Sequence, residues 1–93
     1  VKKQAEAKMF NKEETEIISK ALDLAATWIA TPSWKRRAQA LYKAFLDGQW
    51  DAEELDFVLT VIWEGRWNYC LTPSNRETLE LAGPLRNRLK VAA

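Results

Sequence analysis

Histidine is absent from this 93-residue chain, which removes the commonest general base, the commonest metal ligand and every Ser-His or Cys-His nucleophile pair. Catalysis would have to run on Glu, Asp, Lys, Tyr or the single thiol, Cys70. Structural zinc normally takes four Cys or His ligands, and this chain offers one. Its three glycines fall in no phosphate-loop or dinucleotide pattern. Carboxylates remain. Glu53, Asp56 and Glu64 fall on one stripe of a predicted helix, with Glu53 and Asp56 one turn apart, a spacing able to hold a hard cation such as Mg²⁺. Acids at a helix start are also what the macrodipole favours on a solvated face, and we read them so. Cys70, between Tyr69 and Leu71, reads as a buried, inert thiol. The expectation is a protein that is not an enzyme and holds neither a metal nor a cofactor.

The cations offer a second kind of chemistry. Trp34-Lys35-Arg36-Arg37 falls in the first turn of a predicted helix, where positive charge opposes the helix dipole at a cost of ~0.3–1 kcal/mol each. Free N–H groups, three long cationic side chains and a flat indole make a phosphate or single-stranded nucleic-acid grip. The plainer reading pairs these cations with acids of another helix, with Glu53, Asp56 and Glu64 as candidates. Arg86, Arg88 and Lys90 sit near the end of the last helix, where cations agree with the dipole. If the two groups meet in space they form one basic patch, and nucleic-acid binding gains weight. A helix-turn-helix fails on inspection: Glu54 stands where that motif needs an apolar residue, and an aromatic-rich turn follows Gly48.

Aromatic residues are the third resource. Of ten, five are Trp. Trp63 reads as core, whereas Trp50 and Trp67 lie in links beside Gly48 and Gly65, where a ring either closes the end of the fold or stays exposed. Trp, Tyr and Arg are enriched at interface hot spots, and Arg66-Trp67-Asn68-Tyr69 supplies all three.

The elements that must position these groups are helices. Asn11 with Glu14 is a capping-box pattern that starts a helix at Lys12. At ~100° per residue, Ile17, Ile18, Ala21, Leu22, Leu24, Ala25, Trp28 and Ile29 fill one arc, and the helix should stop near Ala30 ahead of Pro32. Thr31-Pro32 opens a second helix that Gly48 ends. Trp34, Ala38, Leu41, Tyr42, Phe45 and Leu46 form its apolar face, and Ala40 with Ala44 forms a small-residue strip that lets another backbone come close. Asp51 with Glu54 starts a third helix, about Ala52 to Glu64, ending at Gly65. Its apolar residues cover about 240° of the circumference, which places it at the centre of the fold. A second Thr-Pro-Ser at 72–74, with Ser74 and Glu77 in box spacing, starts a fourth stretch that Gly83-Pro84 should split into Asn75–Ala82 and Leu85–Leu89.

The predicted fold is therefore all-α: a compact antiparallel bundle of three main helices plus a short broken fourth. Residues 1–10 are expected to form a flexible N-terminal segment, 11–90 a single helical-bundle domain and 91–93 a fraying tail. A net charge of +1 argues against a strongly basic nucleic-acid coat. One cysteine asks for no oxidising compartment, and no apolar run reaches membrane length, so a cytoplasmic protein that spans no membrane is expected. The leading reading is a protein-interaction module: a small regulator, adaptor or inhibitor binding a protein partner or its own copy, with Trp50, Arg66, Trp67 and Tyr69 as the interface. The alternative is a nucleic-acid-binding accessory protein gripping phosphates through Trp34, Lys35, Arg36, Arg37, Arg86 and Arg88.

Overall fold

The computed structural model describes residues 10–65 and 72–92, and among these it contains helices and no strand. In chain order they are α1 (Lys12–Trp28), α2 (Pro32–Leu46), α3 (Ala52–Glu64) and α4 (Pro73–Ala92). The capping box at α1 forms in full: the Glu14 N–H donates to the Asn11 side chain at 2.8 Å, and the Asn11 N–H donates to the Glu14 carboxylate at 3.0 Å. Ile18, Ala21, Leu22 and Ala25 are its buried face, with Ile29 buried just past its end and Ile17 and Leu24 half-buried, whereas Trp28, expected on the same arc, is exposed. Proline disfavours helical geometry in the residue before it, and Thr31 takes ψ 118° ahead of Pro32, which sits in the first turn of α2. Past the other end of α2, Gly48 turns the chain with φ 74°, a left-handed conformation open to glycine at little steric cost. Leu46, expected on the apolar face, lies at 59% exposure instead.

Helix α3 has the predicted bounds, with Leu55, Val58, Leu59 and Ile62 buried. Its capping box is half made. The Asp51 side chain accepts the Glu54 N–H at 2.9 Å, but the Glu54 carboxylate leaves the cap for Arg37 on α2. The central place expected for α3 is shared with α1, since each packs on the other three helices.

The fourth helix corrects the sequence reading most. It is the longest of the four and runs unbroken through Gly83 and Pro84 to Ala92. A proline inside a helix costs ~3 kcal/mol through the lost N–H and its clash with the preceding turn. That cost is offset by burial on both sides of it: Leu79, Ala82 and Gly83 before, Leu89 after, all in one helical phase. Pro84 itself is exposed. Its cap is corrected too. The Thr72 hydroxyl, rather than Ser74, accepts a first-turn N–H, from Asn75 at 3.2 Å.

Phe10 begins the described chain as a core residue, 5% exposed and packed on Trp50 with ring centres 5.9 Å apart. No charged or polar residue is fully buried among the described residues. Their radius of gyration, 12.1 Å, matches the ~12–13 Å of a compact chain of this length.

At the end where Phe10 lies, the Arg88 guanidinium of α4 grips the Glu14 carboxylate through both nitrogens, one at 2.6 Å, tying the cap of α1 to the last turns of α4. The Arg88 hydrogen bonds, then the Asn11 N–H, hold the Glu14 carboxyl below its ordinary value of 4.5. A depressed folded-state value means stability present above the unfolded value and lost as pH falls through the folded one. Thermal melts should therefore show stability falling on acidification below the ordinary glutamate range. Glu14→Gln should flatten that part of the profile, and an unchanged acid limb in the variant would refute the assignment.

Candidate interaction surface

The predicted site residues separate into groups that the fold treats differently. Trp50 is not a surface residue. It is 4% exposed, with its ring 5.9 Å from Phe10 and 5.4 Å from Phe45. The link before α3 places it over the end of α2, where two other rings give it more apolar contact than solvent would. Arg66, Trp67 and Tyr69 lie outside the described residues, as does Cys70. Glu53 and Glu64 are exposed and Asp56 is half-buried on α3, and no cluster of three or more potential metal-ligating groups forms among the described residues.

At the start of α2 the residues do converge. Trp34, 40% exposed, stands edge-on to the Phe57 ring of α3 at 5.6 Å and 86°. The Arg37 guanidinium lies 3.9 Å from the centre of the same Phe57 ring, in cation–π range. Its Nε and Nη2 donate to the two Glu54 oxygens at 2.9 and 2.7 Å, a bidentate fork. Those bonds raise the Arg37 guanidinium above its ordinary value, so the group stays charged. The pair remains open to water, with side chains 44% and 31% exposed, and an ion pair so placed is worth only ~0–1 kcal/mol to the fold. What it does is fix geometry: Phe57 has an indole perpendicular to its ring and a guanidinium over its face. The plainer sequence reading anticipates cross-helix pairing of the whole basic run; among the described residues Arg37 alone makes such a pair, and its acid is Glu54 rather than the Glu53, Asp56 and Glu64 stripe.

Beside this cluster the seam between α2 and α3 opens into a groove of about 280 Å³. Ala40, Leu41 and Ala44 supply its apolar lining, and the Arg37–Glu54 pair, Gln49 and Asp51 its polar lining. Ala40 is exposed and Ala44 half-buried, so the strip expected to admit another backbone is uncovered.

The second basic group goes elsewhere. Arg86 donates to the Thr60 hydroxyl at 2.8 Å and to the Gly83 carbonyl at 2.9 Å, with its guanidinium 4.9 Å from the Trp63 ring centre. Arg88 turns to Glu14 and Phe10 on the side of α1. Arg37, Arg86 and Arg88 thus each hold partners within the fold, and the last two diverge onto different helices. Lys35, half-buried, and Arg36, exposed, make no ion pair among the described residues. Neither Phe57 nor the carboxylate of Glu54 figures in the sequence reading of the site, because a single sequence carries no signal for partners on another helix.

The chain matches no protein-family model, no curated protein and no solved structure.

Proposed function

We propose that this chain is a non-enzymatic protein-interaction module, a small intracellular regulator, adaptor or inhibitor, whose docking surface is built on Trp34. Its scaffold is read as an antiparallel bundle: Glu14 of α1 meets Arg88 of α4, while Lys20 and Leu24 line the same cavity as Ser74 and Thr78. The observation that carries the function is the Trp34–Phe57–Arg37–Glu54 cluster. A single exposed apolar side chain is ordinary and needs no explanation. An indole held against a second ring, next to a guanidinium locked by a bidentate carboxylate, loses little further freedom on binding, which is the property of a hot spot. Arg66, Trp67 and Tyr69 remain part of the proposed surface on their residue types alone.

Immobilised wild type and Trp34→Ala, shown by circular dichroism to be equally folded, provide the test. A protein retained by the wild type should bind the variant about 30-fold more weakly, the equivalent of ~2 kcal/mol for a central anchor. Equal affinity for the two would remove this cluster from the reading.

A second reading keeps one specific support. The Thr31 side chain makes no capping bond, the first turn of α2 carries no acid, and Lys35 and Arg36 are unpaired among the described residues, which suits an anion. Anisotropy of labelled single- and double-stranded oligonucleotides should then show binding that weakens steeply with salt and vanishes when Lys35 and Arg36 are both neutralised. Absence of binding at low salt would eliminate this reading.

A further inference from the structure

The part of α4 that follows Pro84 is tied to the fold differently from the part before it. Up to Gly83 the helix is seated by close packing: Leu79, Ala82 and Gly83 are buried, and a Cβ at position 83 would lie 2.2 Å from the Trp63 indole. Among residues 85–89 beyond it, Leu89 is the one fully buried side chain, Leu85 and Arg86 are half-buried, and Asn87 and Arg88 are exposed. The remaining ties are polar. Arg86 donates to the Thr60 hydroxyl of α3, while Arg88 forks onto Glu14 of α1 and lies 5.8 Å from the centre of the Phe10 ring. One arginine reaches α3 and the other α1, so this length of helix lies across the seam between them. At the junction Pro84 has no N–H to give the Glu80 carbonyl, so the helical ladder lacks a rung where the packing changes.

We propose that residues 85–92 are a hinged strap, which opens as a unit at Pro84 while the rest of α4 stays docked, uncovering the apolar seat of Leu89 and lifting the guanidinium from Phe10. The device is independent of the Trp34 surface. Opening gives up few apolar contacts, and the Arg88–Glu14 pair that it breaks is already partly open to water, with side chains 45% and 18% exposed. Closure, in turn, carries the cost of an interior proline, which opening removes. A segment with so few buried contacts opens at a lower free energy than the fold as a whole.

The test is amide hydrogen exchange, followed by NMR on the whole chain from zero to low urea, for the wild type, Glu14→Gln and Pro84→Ala. By helical spacing the Arg88 and Leu89 N–H groups donate to the carbonyls of Pro84 and Leu85, so both report on the strap. They should exchange through one common opening, on the order of a hundredfold faster than the Leu59 and Ile62 amides of α3, and with little dependence on urea because little surface is exposed. The α3 amides should follow the full slope of global unfolding. Glu14→Gln should speed the strap amides severalfold. Pro84→Ala restores the missing donor at an exposed position and should slow them by up to about a hundredfold. Strap amides that share the protection and the urea slope of α3 overturn the proposal, since α4 then opens only with the whole fold. Protection that declines residue by residue toward Ala92, with Leu89 as slow as α3, also overturns it and leaves ordinary fraying. Strap rates indifferent to Pro84→Ala would remove the hinge and overturn it as well.

Discussion

Trp50→Ala is expected to lose about 3–5 kcal/mol of folding stability, the usual result of truncating a buried Trp. A domain of this size holds ~5–15 kcal/mol in total, so the variant should sit at the edge of folding. Two terms add. Removal of the indole forfeits its transfer free energy, and the space it leaves is walled by Phe10 on one side and Phe45 on the other. Phe45 belongs to α2 and Phe10 precedes the cap of α1, so collapse into the cavity would have to move both elements. A urea titration followed by circular dichroism should give a lower midpoint at unchanged slope, and thermal melts a drop of at least ~12 °C. Trp34→Ala, at an exposed ring, should leave the midpoint within ~0.5–1 kcal/mol of wild type. The contrast matters because sequence alone makes Trp50 a candidate binding residue. Preserved stability in Trp50→Ala with loss of a partner would reinstate that role and contradict the packing described above.

The two tryptophans show what a sequence of this kind discloses and what it withholds. Local rules are legible. Asn11 with Glu14, Asp51 with Glu54, and Gly65 after an apolar arc place the starts of α1 and α3 and the end of α3 at the residues observed. Each of these acts within one or two turns of chain. Trp50 is different: a ring in a link is buried or exposed according to which other elements close over it, and Phe10 lies 40 residues away in the chain. The same limit governs the cations. Arg37 finds Glu54 at a separation of 17 residues and Arg88 finds Glu14 at 74, and neither separation leaves a mark in composition or spacing. Even an identical tripeptide behaves differently in two contexts. Thr72 caps α4 through its hydroxyl, while Thr31 before α2 makes no side-chain bond.

Gly83→Ala should separate local from tertiary control by the sign of its effect. Alanine in a helix interior is favoured over glycine by ~0.8–1.0 kcal/mol, so intrinsic propensity predicts a stabilised α4. The fold predicts the reverse. A Cβ at position 83 would lie 2.2 Å from Nε1 and 2.4 Å from Cδ1 of Trp63, far inside van der Waals contact. The indole is not a loose end that can swing aside, because the Arg86 guanidinium sits 4.9 Å from its ring centre and is itself bonded to Thr60 and to the Gly83 carbonyl. Relief must come from moving the ring out of its rotamer or from parting α3 and α4, and overpacking of this kind costs ~1–3 kcal/mol, occasionally more. With the propensity gain deducted, we expect a net loss of about 1 kcal/mol, a melting temperature ~4–8 °C lower. Trp63→Phe, introduced together with Gly83→Ala, should recover part of that loss by shortening the ring that the new methyl meets. The same contact explains why Gly83-Pro84 does not break the helix. Glycine there is a seat for Trp63, and the proline that follows faces solvent, so the dipeptide that reads locally as punctuation is held in helical form by what packs against it. A stabilised Gly83→Ala variant would show that α3 and α4 do not meet at this point.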